Sequence, residues 1–168
     1  QLCAIFSQHQ LDIAAARAYV TGHQYILDTF HLLLPEGREV DEYPEIAALL
    51  QATLGHFILG QFIPIPAPRS ASRRIRHSHV APRITLFEED VIKESDVYVL
   101  NIVTANRRGL LANIAKILSD MDIGMIHAHV MTLDERVEDT FLLKSARLAD
   151  TKTQLQLKQA LEDILVAS

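Results

Sequence analysis

The chain has 168 residues, of which 49% are hydrophobic and 22% are charged, and its formal net charge is -5. This apolar fraction is sufficient for a packed core and excludes wholesale disorder. The mild acidic excess argues against non-specific nucleic-acid binding by the whole chain. The longest uncharged stretch, Phe57 to Pro68, is interrupted by Gly60 and three prolines, so no membrane contact is expected. Cys3 is the single cysteine and no secretory signal is present, which together predict a cytoplasmic protein.

The first half of the chain predicts a helix, a strand pair and a second helix. Leu2, Ile5 and Phe6 are typical of the last turns of an amphipathic helix. The strands are predicted at 13–21 and 25–34, joined by a turn that contains Gly22. The apolar residues on the inner face of the second helix are Ile46, Leu49, Leu50 and Phe57.

Residues 61–82 are predicted to be an extended connector, because they hold four of the six prolines. Arginines between Arg69 and Arg83 give the region a positive charge. No aromatic side chains alternate with them to stack on bases, so a nucleic-acid site is disfavoured.

The second half predicts strands at 83–87 and 97–104, a helix that begins near Leu110, a hairpin and a final helix. The helix is amphipathic because apolar residues recur at three- and four-residue spacing. The hairpin strands are predicted at 125–133 and 137–144, and Asp150 is the predicted cap of the last helix.

The two halves repeat each other, which is the most informative feature of the sequence. Asp28-Thr29-Phe30 recurs as Asp139-Thr140-Phe141, and this repetition is interpreted as a role in the fold. The sequence therefore predicts an α+β protein with tandem ferredoxin-like βαββαβ units, the first without its opening strand and the second without its closing strand. The open edges predict that the units pack together or that a second chain fills the gap.

The predicted boundaries follow from this repeat. They are 1–60 for the first unit, 61–82 for the connector, 83–95 for the closing strand of the first unit with its link, and 96–168 for the second unit.

The segment Asn106-Arg107-Arg108-Gly109-Leu110-Leu111, followed by Glu135 to Phe141, resembles an ACT domain. The tandem pair and its connector are more specifically similar to the C-terminal regulatory region of the bifunctional uridylyltransferase/uridylyl-removing enzyme family. This resemblance implies a parent enzyme that transfers UMP from UTP to PII signal proteins and hydrolytically removes it according to nitrogen status. It also implies Mg²⁺ for the parent and L-glutamine as the effector.

The chain itself is expected to have no catalytic activity and no cofactor. It has no Gly-rich phosphate loop, no Asp-x-Asp pair near a Gly-Ser turn and no adjacent His-Asp pair. No catalytic residue is therefore assigned. His77 with His79, and His127 with His129, supply two imidazoles each where zinc needs three or four ligands, so no metal site is expected.

The candidate ligand site is the turn between a strand and a helix. Gly109 permits close backbone approach, and the N–H groups at the start of the helix suit the carboxylate of an amino acid. Asn106 and Asn113 are possible side-chain partners. His127 and His129 are expected to line an interface between the units, which the resemblance places near the pocket. The full set of candidate ligand residues is Asn106, Arg107, Arg108, Gly109, Leu110, Leu111, Asn113, His127 and His129.

Three alternatives remain open at the level of sequence. Asn106 could simply cap the helix while Gly109 allows the turn. The chain could be an ACT regulator of another protein that senses a different amino acid. It could also be a ligand-free module for dimerisation, with a homodimer as the expected assembly.

Overall fold

The computed structural model describes residues 2–20, 26–34, 42–60, 80–89, 96–107, 109–133 and 135–166. These residues form a six-stranded antiparallel sheet with helices, so the predicted α+β class and tandem ferredoxin-like ACT fold are confirmed. In chain order the elements are α1 (Leu2–Gln8), β1 (Asp12–Val20), β2 (Ile26–Leu33), α2 (Tyr43–Ile58), β3 (Arg83–Glu88), β4 (Val97–Ala105), α3 (Leu110–Asp120), β5 (Gly124–Leu133), β6 (Arg136–Lys144) and α4 (Thr151–Val166).

The second unit folds as its hydrophobic periodicity predicts. Helix α3 buries Leu110, Ile114 and Leu118, and α4 buries its own apolar stripe at the same spacing. Helix α4 begins after Asp150, whose carboxylate accepts hydrogen bonds from the N–H groups of Lys152 and Thr153, both at 3.2 Å. The predicted cap is therefore confirmed.

The two units join edge to edge through β1 and β5. The strand order in the sheet is β2-β1-β5-β6-β4-β3. In the β1–β5 ladder Arg17 lies opposite His129, and Ala18 lies opposite Ala128. Arg17 and His129 are equivalent in the sequence repeat, so a local two-fold axis passes between them. The prediction that the units pack together is confirmed.

Strand β3 belongs to a different unit from the one predicted from the sequence. Residues 83–95 were expected to close the first unit, whereas β3 pairs antiparallel with β4 along its whole length. It thus occupies the closing position of the second unit, at the edge of the sheet opposite β2. Ile84 and Leu86 pack against the core there. Without β3, the N–H and C=O groups on the outer edge of β4 would lack strand partners. The other boundaries stay predictions.

Helix α2 does not bury its predicted inner face. None of its residues is buried, and Leu49 is 50% exposed. Helix α1 already covers the first-unit strands: Phe6 packs edge-on against Phe30 of β2, with 4.8 Å between the ring centroids.

Two further predictions concern the connector and the absence of membrane-spanning helices. Residues 61–79 of the connector lie outside the described residues. Among the helices that are described, none combines the length and the hydropathy needed to cross a lipid bilayer.

Candidate functional site

A small cleft opens between the two units on the side of the sheet that carries the helices. Its first wall comes from α1 and the start of β1, its second wall from the turn before α3 and the first turn of that helix, and its floor from β5 and β6. The cleft has a volume of about 40 Å³, which is room for a few water molecules. The lining residues used below are Cys3, Asp12, Asn106, Arg107, Gly109 and Asp139.

The structure brings together most of the predicted ligand residues. Those that line the cleft are Asn106, Arg107, Gly109, Leu110 and Leu111. Arg108 lies outside the described residues. Asn113, His127 and His129 do not line the cleft.

The turn before α3 keeps the start of that helix open toward the cleft. Gly109 is the N-cap residue, with a left-handed φ of 78° that favours glycine, and no side chain caps the helix. The alternative in which Asn106 caps α3 is therefore not observed; its backbone N–H instead donates to the carbonyl of Glu135 at 2.7 Å. Leu111 and Ala112, whose N–H groups belong to the first turn, line the cleft. An uncapped helix start of this kind favours an anion.

Arg107 lines the cleft but directs its guanidinium to the end of α4. It donates to the carbonyl of Ile164 at 2.6 Å and to that of Leu165. Burial lowers the pKa of Arg107. A cation at the last carbonyls of a helix is favourable for the helix dipole, so Arg107 ties the turn to α4.

Asp139 forms part of the cleft floor, where a buried carboxyl group is unexpected. The side chain is 2% exposed, and neither carboxylate oxygen has a hydrogen-bond partner in normal geometry. Its neighbours across the sheet are the apolar residues Ile102 and Val130. Burial raises the pKa of Asp139 to about 7, and the backbone amide of Met131 opposes this shift only in part.

Asp139, Cys3 and Asp12 line the cleft but are not among the residues predicted from the sequence. The strand pattern indicates that Asp139 is buried, because it alternates with Val137 and Phe141 on the buried side of β6. Phe141 lies in the core, which agrees with the fold role predicted for the repeated segment Asp139-Thr140-Phe141. Asp139 makes none of the hydrogen bonds that a structural acid would make.

His127 and His129 line the junction between the two units, as predicted, on the face of the sheet opposite to the cleft. Successive side chains of a strand point to opposite faces, and Ala128 and Val130 take the helix side. His127 Nδ1 donates to the carbonyl of Ala18 at 2.9 Å. Both histidines therefore lie at the β1–β5 junction.

Cys3 lies near two acidic side chains. Burial raises the pKa of its thiol to about 11, and the nearby carboxylates of Asp28 and Asp139 add to this shift. The thiol is therefore neutral at physiological pH. Within the described ranges, no group of three or more His, Cys, Asp or Glu side chains is placed to hold a metal ion.

The chain is similar to bifunctional uridylyltransferase/uridylyl-removing enzymes of several bacteria. Identity is 42% over 163 residues with the enzyme of Neisseria gonorrhoeae (strain NCCP11945), covering 96% of this chain and 19% of that protein. It is 38% over 160 residues for Chromobacterium violaceum (95% and 18%) and 36% over 162 residues for Burkholderia lata (95% and 18%).

The chain is a homologue of one segment of these enzymes. It spans about a fifth of their length. The resemblance to the bifunctional uridylyltransferase/uridylyl-removing family, drawn above from the motifs, is confirmed. No family model matches the chain, and no solved structure matches it.

Proposed function

We propose that the chain is the glutamine-sensing regulatory region of a bifunctional uridylyltransferase/uridylyl-removing enzyme, and that the cleft between its units binds L-glutamine. On this proposal the longer protein works in the cytoplasm, where it transfers UMP from UTP to PII signal proteins and hydrolytically removes it. The Mg²⁺-dependent chemistry belongs to a part of that protein outside these 168 residues.

The observation that carries the proposal is the position of the predicted turn. It lines a cleft to which both units contribute, and α3 begins there without a side-chain cap. A ligand carboxylate at this point would accept hydrogen bonds from backbone N–H groups and gain from the dipole of α3. An amino acid supplies such a carboxylate, and its identity as glutamine rests on the resemblance to the bifunctional uridylyltransferase/uridylyl-removing enzyme family.

The size of the cleft indicates which end of the ligand enters. A volume of about 40 Å³ suits the charged groups around the α-carbon rather than a whole amino acid. The side-chain amide of the ligand would then lie at the mouth, within reach of a polar residue such as Asn106.

The cleft also suggests how binding is coupled to the parent enzyme. Its two walls come from different units, so a ligand that touches both walls binds best to one arrangement of the units. Glutamine would favour that arrangement and, through it, removal of uridylyl groups over their addition. Coupling of this kind typically amounts to about 1–3 kcal/mol.

Calorimetric titration of the chain with L-glutamine tests the binding step. We expect selective binding over glutamate, asparagine and glycine, with a dissociation constant of about 1 mM or tighter. Asn106→Ala should weaken binding about tenfold, since it removes a polar group from the cleft. Asn113→Ala is the matched control, because Asn113 lies outside the cleft, and it should bind as the unchanged chain does.

The same two variants in the full-length enzyme test regulation. Asn106→Ala should keep both uridylyl transfer and removal but require more glutamine to switch between them, whereas Asn113→Ala should respond normally. An unchanged glutamine response in Asn106→Ala would contradict the site. Selective binding of another amino acid would favour a different ACT regulator, and concentration-dependent association without any ligand would favour a dimerisation module.

A further inference from the structure

The cleft contains a buried acid that the fold does not use. Asp139 is 2% exposed and lines the cleft, and neither carboxylate oxygen has a hydrogen-bond partner in normal geometry. An unpartnered buried carboxyl destabilises a protein unless something else compensates for it. The turn before α3 lies across the same cleft, with an uncapped helix start. The cleft therefore has one end suited to an anion and one end suited to a cation.

We propose that Asp139 receives the α-ammonium group of the bound amino acid, and that binding expels a proton from the Asp139 carboxyl to the buffer. The inference rests on the proposed function, since it requires an amino acid in the cleft. It adds the residue that recognises the ammonium group and a dependence of affinity on pH.

Two of the groups around Asp139 are unsuited to bind the ammonium group of the ligand. The guanidinium of Arg107 is directed to the carbonyls at the end of α4, so it does not neutralise Asp139. Cys3 of α1 is held neutral by burial. Asp12 of β1 is the other acid that lines the cleft.

No cationic side chain faces Asp139 from the strands on either side. Its partners there are Val130 of β5 and Ile102 of β4. Asp28 of β2 is near enough to the Cys3 thiol to raise its pKa. A ligand ammonium group would thus be the opposite charge that Asp139 lacks.

The sign of the pH dependence follows from the state of the empty cleft. With a pKa of about 7, the Asp139 carboxyl is about half protonated at neutral pH. An ammonium group stabilises only the ionised carboxylate, so binding releases about half a proton at pH 7. Affinity should then rise about tenfold between pH 6 and pH 8 and level off above that range.

Calorimetry at pH 6, 7 and 8, in buffers of different ionisation enthalpy, measures both the affinity and the protons released. The ligands are L-glutamine, glutamate, asparagine, glycine and the deaminated analogue of glutamine, which keeps the carboxylate and the amide but lacks the ammonium group. The unchanged chain should show the tenfold rise with each amino acid that binds. The deaminated analogue should bind more weakly, and its affinity should not rise with pH.

Two variants test whether Asp139 causes the pH dependence of the affinity. Asp139→Asn should bind more weakly at pH 8, lose the pH dependence and release no proton. Asp28→Asn changes the equivalent acid of the first unit, which does not line the cleft, and should keep the full pH dependence.

The outcomes separate this inference from the proposed function. Glutamine binding with equal affinity at pH 6 and pH 8, or a pH dependence that persists in Asp139→Asn, would overturn the role of Asp139 and leave glutamine sensing intact. A pH-dependent response to another amino acid but not to glutamine would support Asp139 and overturn glutamine as the effector. Absence of binding by every amino acid would overturn both.

Discussion

Asp139 is a carboxyl group placed in a row of apolar residues across the sheet. Ile102 and Val130 flank it on the neighbouring strands, and the backbone amide of Met131 compensates for its burial only in part. A side chain in this position favours the protonated form, which explains why its pKa lies far above that of an ordinary aspartate. The fold therefore tolerates this residue rather than depending on it, and that distinction can be tested without any ligand.

We predict that Asp139→Asn stabilises the chain at neutral and alkaline pH. The Asp139 pKa is raised from 3.8 to about 7 on folding, so the stability that this group contributes is fully present below pH 3.8 and is lost as pH rises through about 7. The shift corresponds to about 4 kcal/mol at most. Asparagine has no charge to bury, so its advantage should grow from pH 4 to 7 and stay constant above pH 7.

Chemical denaturation across that pH series gives the free energy of unfolding of both proteins. Equal stability at pH 8, or an Asp139→Asn variant that is less stable there, would show that the carboxylate has a compensating partner in the fold. Asp139→Asn should also bind amino acids more weakly, so a gain in stability with a loss of affinity would identify a residue kept for binding.

At the scale of elements, local patterns predicted most of the structure. The apolar spacing of α3 and α4 gave the faces that are buried, and the alternation in β5 and β6 gave the hairpin. The turn at Gly109 was predicted as part of the site because a glycine before a helix has a direct backbone consequence. The same alternation places His127 and His129 on one face of β5, opposite to the face against which the helices pack.

The position of β3 could not be predicted from local sequence. Its residues indicate a strand, but whether that strand joins the first or the second unit depends on a pairing after a long connector. Which edge needs a partner is a property of the assembled sheet, since β4 has one edge paired with β6 and the other open to β3. Strand β3 is therefore part of the second unit's core, even though it precedes that unit in the chain.

We predict that Leu86→Asp destabilises the second unit while Thr85→Asp does not. Leu86 is half-buried and packs against the core, whereas Thr85 is exposed on the other face of β3. Placing a carboxylate at Leu86 should cost about 2–4 kcal/mol, and the control should change stability by less than about 1 kcal/mol. Hydrogen exchange should become faster along β3 and β4. Equal effects of the two substitutions would show that β3 does not use Leu86 to close the second unit.

At the scale of the whole molecule, the local two-fold axis explains why the cleft lies where it does. The axis relates Arg17 to His129. The same relation, a shift of 112 residues, carries Cys3 and Leu11 to Ala115 and Ile123, which line a second, more open cleft. The first cleft takes its walls from both units, whereas the lining of the second cleft belongs to the second unit. A change at the β1–β5 junction should therefore alter the first cleft and the affinity of a ligand bound there.

We predict that Ala16→Asp abolishes amino-acid binding by separating the first unit from the second. Ala16 is 5% exposed and lies opposite Val130 in β5, so a carboxylate there would be buried without a partner, at a cost of about 3–5 kcal/mol. Arg17→Asp is the control, because Arg17 is exposed on the opposite face of the same strand. Hydrogen exchange should become faster in β1 and β2 of Ala16→Asp and stay slow in β4 and β6, while Arg17→Asp should keep both its protection and its affinity for the ligand. If Ala16→Asp still binds an amino acid with unchanged affinity, the first unit is not a wall of the site, and the ligand is held by the second unit alone.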